Sequence, residues 1–305
     1  MAVVVTGGAG FIGSHVVEAL LARGDEVHVL DDLSTGVLEN VPAAATFHLH
    51  DIREPLDTIV RAVEARSIIH LAAQADVRVS VAEPDRDAAI NVLGTVNVLE
   101  AARLVGARVI FASTGGAIYG ECERPAREDD PCLPLSPYGA AKLAGEGYLG
   151  AFARLYGAAH VALRFGNVYG PRQNPHGEAG VVAIFLGRLH TGETCRIFGD
   201  GSQSRDYVFA GDVARAMLAA LDSDVGGVLN IGTGIATTVL ELYEVCRSVT
   251  GSDAEAVHEA QRVGELGRSV LDGGLAATAI DFRAGTSLAA GVAATWQALH
   301  TANER

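Results

Sequence analysis

Tryptophan occurs once, methionine twice and cysteine four times in these 305 residues. The cysteines (Cys122, Cys132, Cys195 and Cys246) have neither Cys-x-x-Cys spacing nor a histidine partner pattern. That pattern argues against a disulfide framework and a structural metal site, and reads as the reduced thiols of a cytoplasmic protein. Positive charge is also scarce: 23 Lys and Arg stand against 37 Asp and Glu, a net charge of −14. Nucleic acid and anionic membrane surfaces are poor partners for such a chain. No apolar run approaches the roughly 20 residues of a membrane span. A strand starting at Ala2 leaves no room for a leader segment. The charge balance poses a question: an anionic ligand here needs a few well-placed arginines.

What is present is globular. Hydrophobic residues make up 49% and charged residues 20%, enough for a sizeable core in one large or two medium domains. Short β-branched runs (Val27–Leu30, Thr46–Leu49, Ser67–Leu71, Ala107–Phe111) alternate with amphipathic stretches such as Asp57–Ala65 and Asp87–Val105. That rhythm predicts an α/β fold with a parallel, doubly wound sheet. A long helix starting near Pro137 and a strand over Ala159–Phe165 extend it. From about residue 166 the loops become rich in Gly, Pro and Asn, while Val208–Leu221 and Val228–Ile231 read as a return to the first domain. The expected division is 1–165 with about 208–232 in one domain, and 166–207 with 233–305, small and largely helical, in a second. Substrate belongs in the cleft between them.

The first strand runs straight into Thr6-Gly7-Gly8-Ala9-Gly10-Phe11-Ile12-Gly13, where a helical apolar pattern begins. Strand, Gly-x-x-Gly-x-x-Gly, then helix is the order of a Rossmann-type dinucleotide site. Gly7 permits the turn, Gly10 lets backbone approach a pyrophosphate, and Gly13 lets the helix of Phe11 and Ile12 pack close to the sheet. Asp31 ends the second strand 18 residues beyond Gly13. A carboxylate there suits ribose hydroxyls and repels a 2′-phosphate, so the cofactor is NAD. Asp31 or Asp32 also suits a turn cap, because Leu33-Ser34-Thr35-Gly36 follows. Asp51-Ile52 at the third strand end is expected to meet adenine. Leu71-Ala72-Ala73-Gln74 at the fourth lets the cofactor pass, with His70 a core residue.

Tyr138 and Lys142 stand four residues apart at the start of the long helix, which puts phenol and ammonium on one face. A cation there favours the phenolate, giving a general base for an alcohol proton.

These elements, in order with HLAAQADVRVS, NVLGTVNVLEAAR, STGGAIYGE, LRFGNVYGPRQ, FGDGSQSRDYVFAGDVA and NIGTG, resemble the extended short-chain dehydrogenase/reductase superfamily. Within it the chain is similar to the NAD-dependent nucleotide-sugar epimerases, the UDP-glucose (UDP-galactose) 4-epimerases nearest. The resemblance implies tightly bound NAD, a UDP-sugar substrate, transient oxidation at C4 and inversion on hydride return. It implies Thr114, Tyr138 and Lys142 as catalytic, with Ser113 the neighbouring possibility for the hydroxyl. Asn91, Ser113, Phe165 and Val168 are added to the cofactor site, and Ser34, Thr35 and Gly36 follow Asp31 there. The implied substrate residues are Asn167, Val181, Val182, Ile197, Phe198, Arg205, Arg262, Glu265 and Ser269, the two arginines clamping the diphosphate. Glu265 stands where many relatives carry Asp. Dehydratases of the superfamily carry Asp-Glu after the active-site Thr, whereas Gly115-Gly116 follow here. Epimerases of UDP-N-acetylglucosamine or UDP-glucuronate, a net NAD-dependent dehydrogenase and a non-catalytic NAD-binding regulator stay open. The helices near Asp87–Val105 and Tyr138–Tyr156 imply a homodimer, through small and apolar positions such as Ala88, Ala89, Leu93, Ala151 and Leu155.

Overall fold

The computed structural model describes residues 2–174, 180–261 and 266–303. Its framework is one seven-stranded, wholly parallel sheet. The strands are β1 (Ala2–Thr6), β2 (Glu26–Asp31), β3 (Thr46–Leu49), β4 (Ser67–His70), β5 (Arg108–Thr114), β6 (Val161–Phe165) and, after four short strands, β11 (Gly227–Ile231). Their spatial order is β11-β6-β5-β4-β1-β2-β3. The direction of winding reverses between β1 and β4, and ligand crevices of such sheets open there, at the carboxyl ends. Val3, Val4 and Val5 are fully buried, as a strand covered on both faces requires.

Helices α1 (Phe11–Ala22) and α9 (Ala210–Leu221) pack together on one face of the sheet, burying Val16, Val17, Leu20, Val213 and Met217. Helices α2 (Asp57–Ala62), α5 (Gly94–Val105) and α7 (Pro137–Tyr156) cover the other through Val60, Val98, Leu99, Leu149 and Phe152. Short helices α3 (Val77–Ala82), α4 (Pro84–Ala88) and α6 (Gly115–Ile118) lie near the strand ends.

Pro84–Val105 forms one 22-residue helical run, starting three residues before the expected Asp87 and interrupted by a π-turn at Ala89–Leu93. By length and composition it is long and apolar enough to cross a membrane, against the sequence expectation, with 39% of its most apolar window buried. Its charges stand near the two ends, Asp85, Arg86 and Asp87 at the first and Glu100 with Arg103 at the second, and leave residues 88–99 uncharged between them.

The remaining elements build a third core. Strand β7 (Asn167–Tyr169) pairs with β10 (Tyr207–Phe209), β8 (Arg196–Phe198) with β13 (Val257–Glu259), and β9 (Ser204–Arg205) lies between β12 (Thr237–Thr238) and β14 (Arg268–Ser269). Helices α8 (Val181–Thr191), α10 (Val239–Thr250) and α12 (Leu288–Asn303) cover these strands, with α11 (Gly274–Ala279) set beside β11. Thr238 and Glu241 form a reciprocal capping box that starts α10. The expected helical tail thus contains three short strands, each of two or three residues, too short for a period of two to show in sequence. Val208–Leu221 likewise resolves into the end of β10 followed by α9.

Candidate active site

The glycine turn is built as its spacing demands. Gly7 has φ +71°, and a Cβ on it would lie 2.6 Å from the Ala72 nitrogen. A Cβ at Gly13 would lie 2.0 Å from the Gly7 carbonyl oxygen, so no other residue fits. Gly10 is the N-cap of α1, and no side chain caps that first turn. Its N–H groups and the helix dipole therefore remain for an anion such as a pyrophosphate. Phe11 and Ile12 follow, partly buried.

Asp31 and Asp32 each cap a turn by accepting from the N–H two residues on, and they differ in burial and in what else they hold. Asp32 is exposed and accepts from Ser34 N and Oγ, a turn cap. Asp31 is 7% exposed, accepts from Ala9 N at 3.0 Å and Leu33 N at 2.9 Å, and lies against Gly36. Burial raises its pKa, offset by those two N–H donors. Its remaining lone pairs suit further donors, which ribose hydroxyls supply. With the glycine cradle, this carboxylate fits NAD. Thr35 is exposed beside it.

The other strand ends differ in part from expectation. Asp51 is paired with the Arg53 guanidinium, which holds its carboxyl below the usual range. Ile52 points into the core, and a Cβ at Gly94 would sit 2.6 Å from its side chain. The Ile52 side chain expected near adenine thus packs against a helix. Leu71, Ala72 and Ala73 continue β4, and Gln74 interlocks with Asn91. Gln74 N donates to Asn91 Oδ1, Asn91 Nδ2 donates back to Gln74 O, and both side chains donate to Asp87. These two amides shape the strand end. His70 is a core residue: Nδ1 faces Thr6 Oγ1 at 2.7 Å and Nε2 faces Thr95 Oγ1 at 3.1 Å. Burial, with the Lys142 charge nearby, lowers its pKa to about 3.

The reacting groups gather where β5 ends and α7 begins. Ser136 caps α7 by accepting from Gly139 N, and Pro137 occupies its first turn. A Cβ at Gly139 would meet the Ala117 carbonyl oxygen at 2.4 Å, so this glycine seats the helix against α6. Lys142 is 3% exposed, donates to Ala112 O at 3.0 Å, and stands 4.8 Å from the Phe111 ring centre and 6.0 Å from that of Tyr138. A cation held there favours the Tyr138 phenolate.

Ser113 Oγ donates to Glu146 Oε1 at 2.6 Å and is buried. Glu146 in turn is paired with Arg164, which also donates to Tyr119 Oη. Thr114 is half-buried, caps no helix N–H, and its Oγ1 borders the space above Gly116 together with Asn167 Oδ1. Of the two hydroxyls, only that of Thr114 faces the open end. Tyr119 does not compete as a base: burial pushes its pKa up to about 12, and its hydroxyl donates to Asn230.

Close to these groups is a cleft of about 640 Å³ whose lining includes Gly116, Ala117, Ser136, Asn167, Phe198 and Arg205. Val181 lines it too, whereas Val182 and Ile197 are buried in the third core. Each stands next to a cleft residue in sequence, with its own side chain in the packed interior. Ser269 is buried beside Arg205 in β14, away from the cleft lining. Phe165 is buried and Val168 half-buried just before the cleft. Arg262 and Glu265 lie outside the described residues. Sequence reading missed Arg188, Arg196, Gln203 and Tyr207, all on the cleft wall. Tyr207 stands two residues from Arg205, and Ile184 and Arg188 continue the face of Val181 at helical spacing, signals that were available.

A model of the NAD dependent epimerase/dehydratase family matches residues 3–232. The UDP-glucose 4-epimerase of Mycolicibacterium smegmatis is 45% identical over 306 residues, covering 97% of each chain. The structure of the Thermotoga maritima UDP-glucose 4-epimerase with UDP-glucose matches at a TM-score of 0.97 and 44% identity, over 99% of this chain and 100% of that one. The Thermus thermophilus UDP-glucose 4-epimerase complexed with NAD matches at 0.94 and 46%, with the same coverage. Glycine turn, buried acidic strand end, Tyr-x-x-x-Lys helix and these likenesses together show that the chain belongs to the NAD-dependent epimerase/dehydratase family.

Proposed function

We propose that this protein is a UDP-glucose 4-epimerase, interconverting UDP-glucose and UDP-galactose with tightly bound NAD. The observation that carries the reading is one cleft whose lining brings residues beside the reacting groups together with an arginine and an aromatic ring suited to a nucleotide diphosphate. Gly116 and Ser136 line it within two residues of Thr114 and Tyr138, and Arg205 and Phe198 line it too. Bidentate arginine–phosphate bonding answers the charge question of a chain at −14.

Gly7, Gly10, Gly13 and Asp31 would hold NAD, which when bound supplies a reversible hydride acceptor for C4. Tyr138 as phenolate takes the proton of the sugar O4, and Lys142 stabilises that phenolate. Thr114 Oγ1 orients the same oxygen. A 4-keto sugar, anchored through its diphosphate by Arg205 and Arg262, turns its other face, and Tyr138 returns the proton. Asn167 and Val181 border the volume in which the sugar turns, with Phe198 beside the uracil and Glu265 at its ribose. Gly115 and Gly116 offer no acid-base pair of the dehydratase kind, and a Cβ at Gly115 would lie 2.5 Å from the Leu271 side chain, which would have to shift to admit one.

The division into a cofactor domain (1–165 with about 208–232) and a substrate domain (166–207 with 233–305) belongs to this reading, as does a cytoplasmic setting. So does a homodimer. Leu93 (61%), Leu155 (72%) and Tyr156 (52%) are exposed on neighbouring helices, an apolar face that a second copy covers.

The test is purified protein with UDP-glucose, UDP-N-acetylglucosamine and UDP-glucuronate in parallel, without added NAD. The reading requires UDP-galactose from the first. Inversion only of another sugar would reassign the substrate, and inversion of none would overturn the reading.

A further inference from the structure

An ion-pair cluster outside the cleft ties the segment after β7 to the cofactor helix. Arg172 has φ +69°, a left-handed conformation that costs a non-glycine residue on the order of 1 kcal/mol. It is held there by three contacts. Nη1 donates to Glu18 Oε1 at 2.5 Å, and Nη2 donates to Glu18 Oε2 at 2.8 Å and lies 2.9 Å from His15 Nδ1. His15 Nε2 lies 3.0 Å from the Pro171 carbonyl oxygen. The two sets of contacts fit one tautomer: neutral His15, its proton on Nε2, accepting from Arg172 at Nδ1. Burial keeps the His15 pKa low, and the Arg172 hydrogen bond keeps that of Glu18 low.

Placement gives the cluster its meaning. His15 and Glu18 belong to the first two turns of α1, the helix whose open N-terminus follows the glycine turn. Arg172 lies three residues after the end of β7, which carries Asn167 and Val168. Gln173 Nε2 donates back to Val168 O at 3.2 Å, fastening the segment to its own strand. The cluster therefore locks two elements of the NAD site to each other, across 154 residues of chain for Arg172 and Glu18.

We propose that Arg172 is a positioning residue for cofactor retention, a latch that fixes β7 to α1 and slows NAD loss between oxidation and return of the hydride. The inference rests on the NAD-retaining reading above. An isolated surface ion pair contributes little. This one is bidentate, shared with a histidine, and strong enough to hold a strained residue.

The experiment uses the purified holoenzyme and the variants Arg172→Met, Arg172→Gly and Glu18→Gln. Cofactor is released by acid from samples desalted at intervals, and counted per chain. Parent protein is expected to retain NAD, and each variant to lose it about five- to tenfold faster, with excess NAD restoring parental turnover. Arg172→Gly relieves the left-handed strain, so its thermal stability at saturating NAD should match or exceed that of the parent while retention still falls. A merely structural role would move that stability and not the loss rate. Loss rates within twofold of the parent in all three variants would overturn the latch. If the parent itself carries no NAD, the tight-binding reading falls instead. The latch is then read from the Kd for added NAD: five- to tenfold weaker in the variants upholds it, equal affinity overturns it.

Discussion

Ser113 Oγ lies 2.6 Å from the carboxylate of Glu146, so one of two adjacent hydroxyls is committed before any substrate arrives. Thr114→Ala should lower kcat on the order of 10²-fold, with the folded fraction unchanged. Ser113→Ala should lower stability by about 1.5–3 kcal/mol, the range of a hydrogen bond to a charged group, and leave the kcat of the folded enzyme near the parental value. Steady-state kinetics with urea denaturation separates the two, and a reversed pattern would move the catalytic role to Ser113.

Tyr138→Phe removes the proton acceptor and little else. Turnover should fall by at least 10²–10⁴-fold, while the count of bound NAD per chain stays at the parental level. Substantial residual turnover would mean that another group takes the O4 proton.

His70 ties stability to acid. Its folded pKa is lowered to about 3 from an ordinary 6.5. Between those values the unfolded chain binds a proton that the folded chain refuses, so stability is present above about pH 6.5 and is lost as pH falls. This one group contributes a loss of about 1.4 kcal/mol per pH unit across that window. Urea denaturation of parent and His70→Asn at pH 7.5, 6 and 5 reads the difference. The variant's stability should fall less steeply with acid, and equal slopes would refute the assignment.

The exposed apolar face at Leu93, Leu155 and Tyr156 predicts a dimer. Sedimentation should give a dimeric mass for the parent and a monomeric one for Leu155→Asp. A monomeric parent would contradict the pairing.

The glycine turn, Asp31 and the Tyr138–Lys142 pair were legible in sequence because each needs a fixed residue type at a fixed local spacing. The sheet was legible because its inner strands β1, β4, β5 and β6 are buried on both faces. Which neighbour faces the cleft was not: Ile197 and Phe198 are equally apolar, and their strand is three residues long. Nor was the difference between Ser113 and Thr114, because Glu146, which engages the Ser113 hydroxyl, is 33 residues away. Arg188 and Tyr207 carried a periodic signal that went unread.

In the proposed reaction the hydrogen leaving C4 is the one that returns to it. The direct measurement mixes 4-deuterated and unlabelled UDP-glucose in ordinary water and reads the UDP-galactose product by mass spectrometry and NMR. Deuterium should still be at C4 of the labelled product, with none in the solvent and none passed to the unlabelled sugar. Washout into water would mean proton abstraction in place of hydride transfer. Crossover between substrates would mean that the cofactor does not stay with its sugar, and either result would contradict the account.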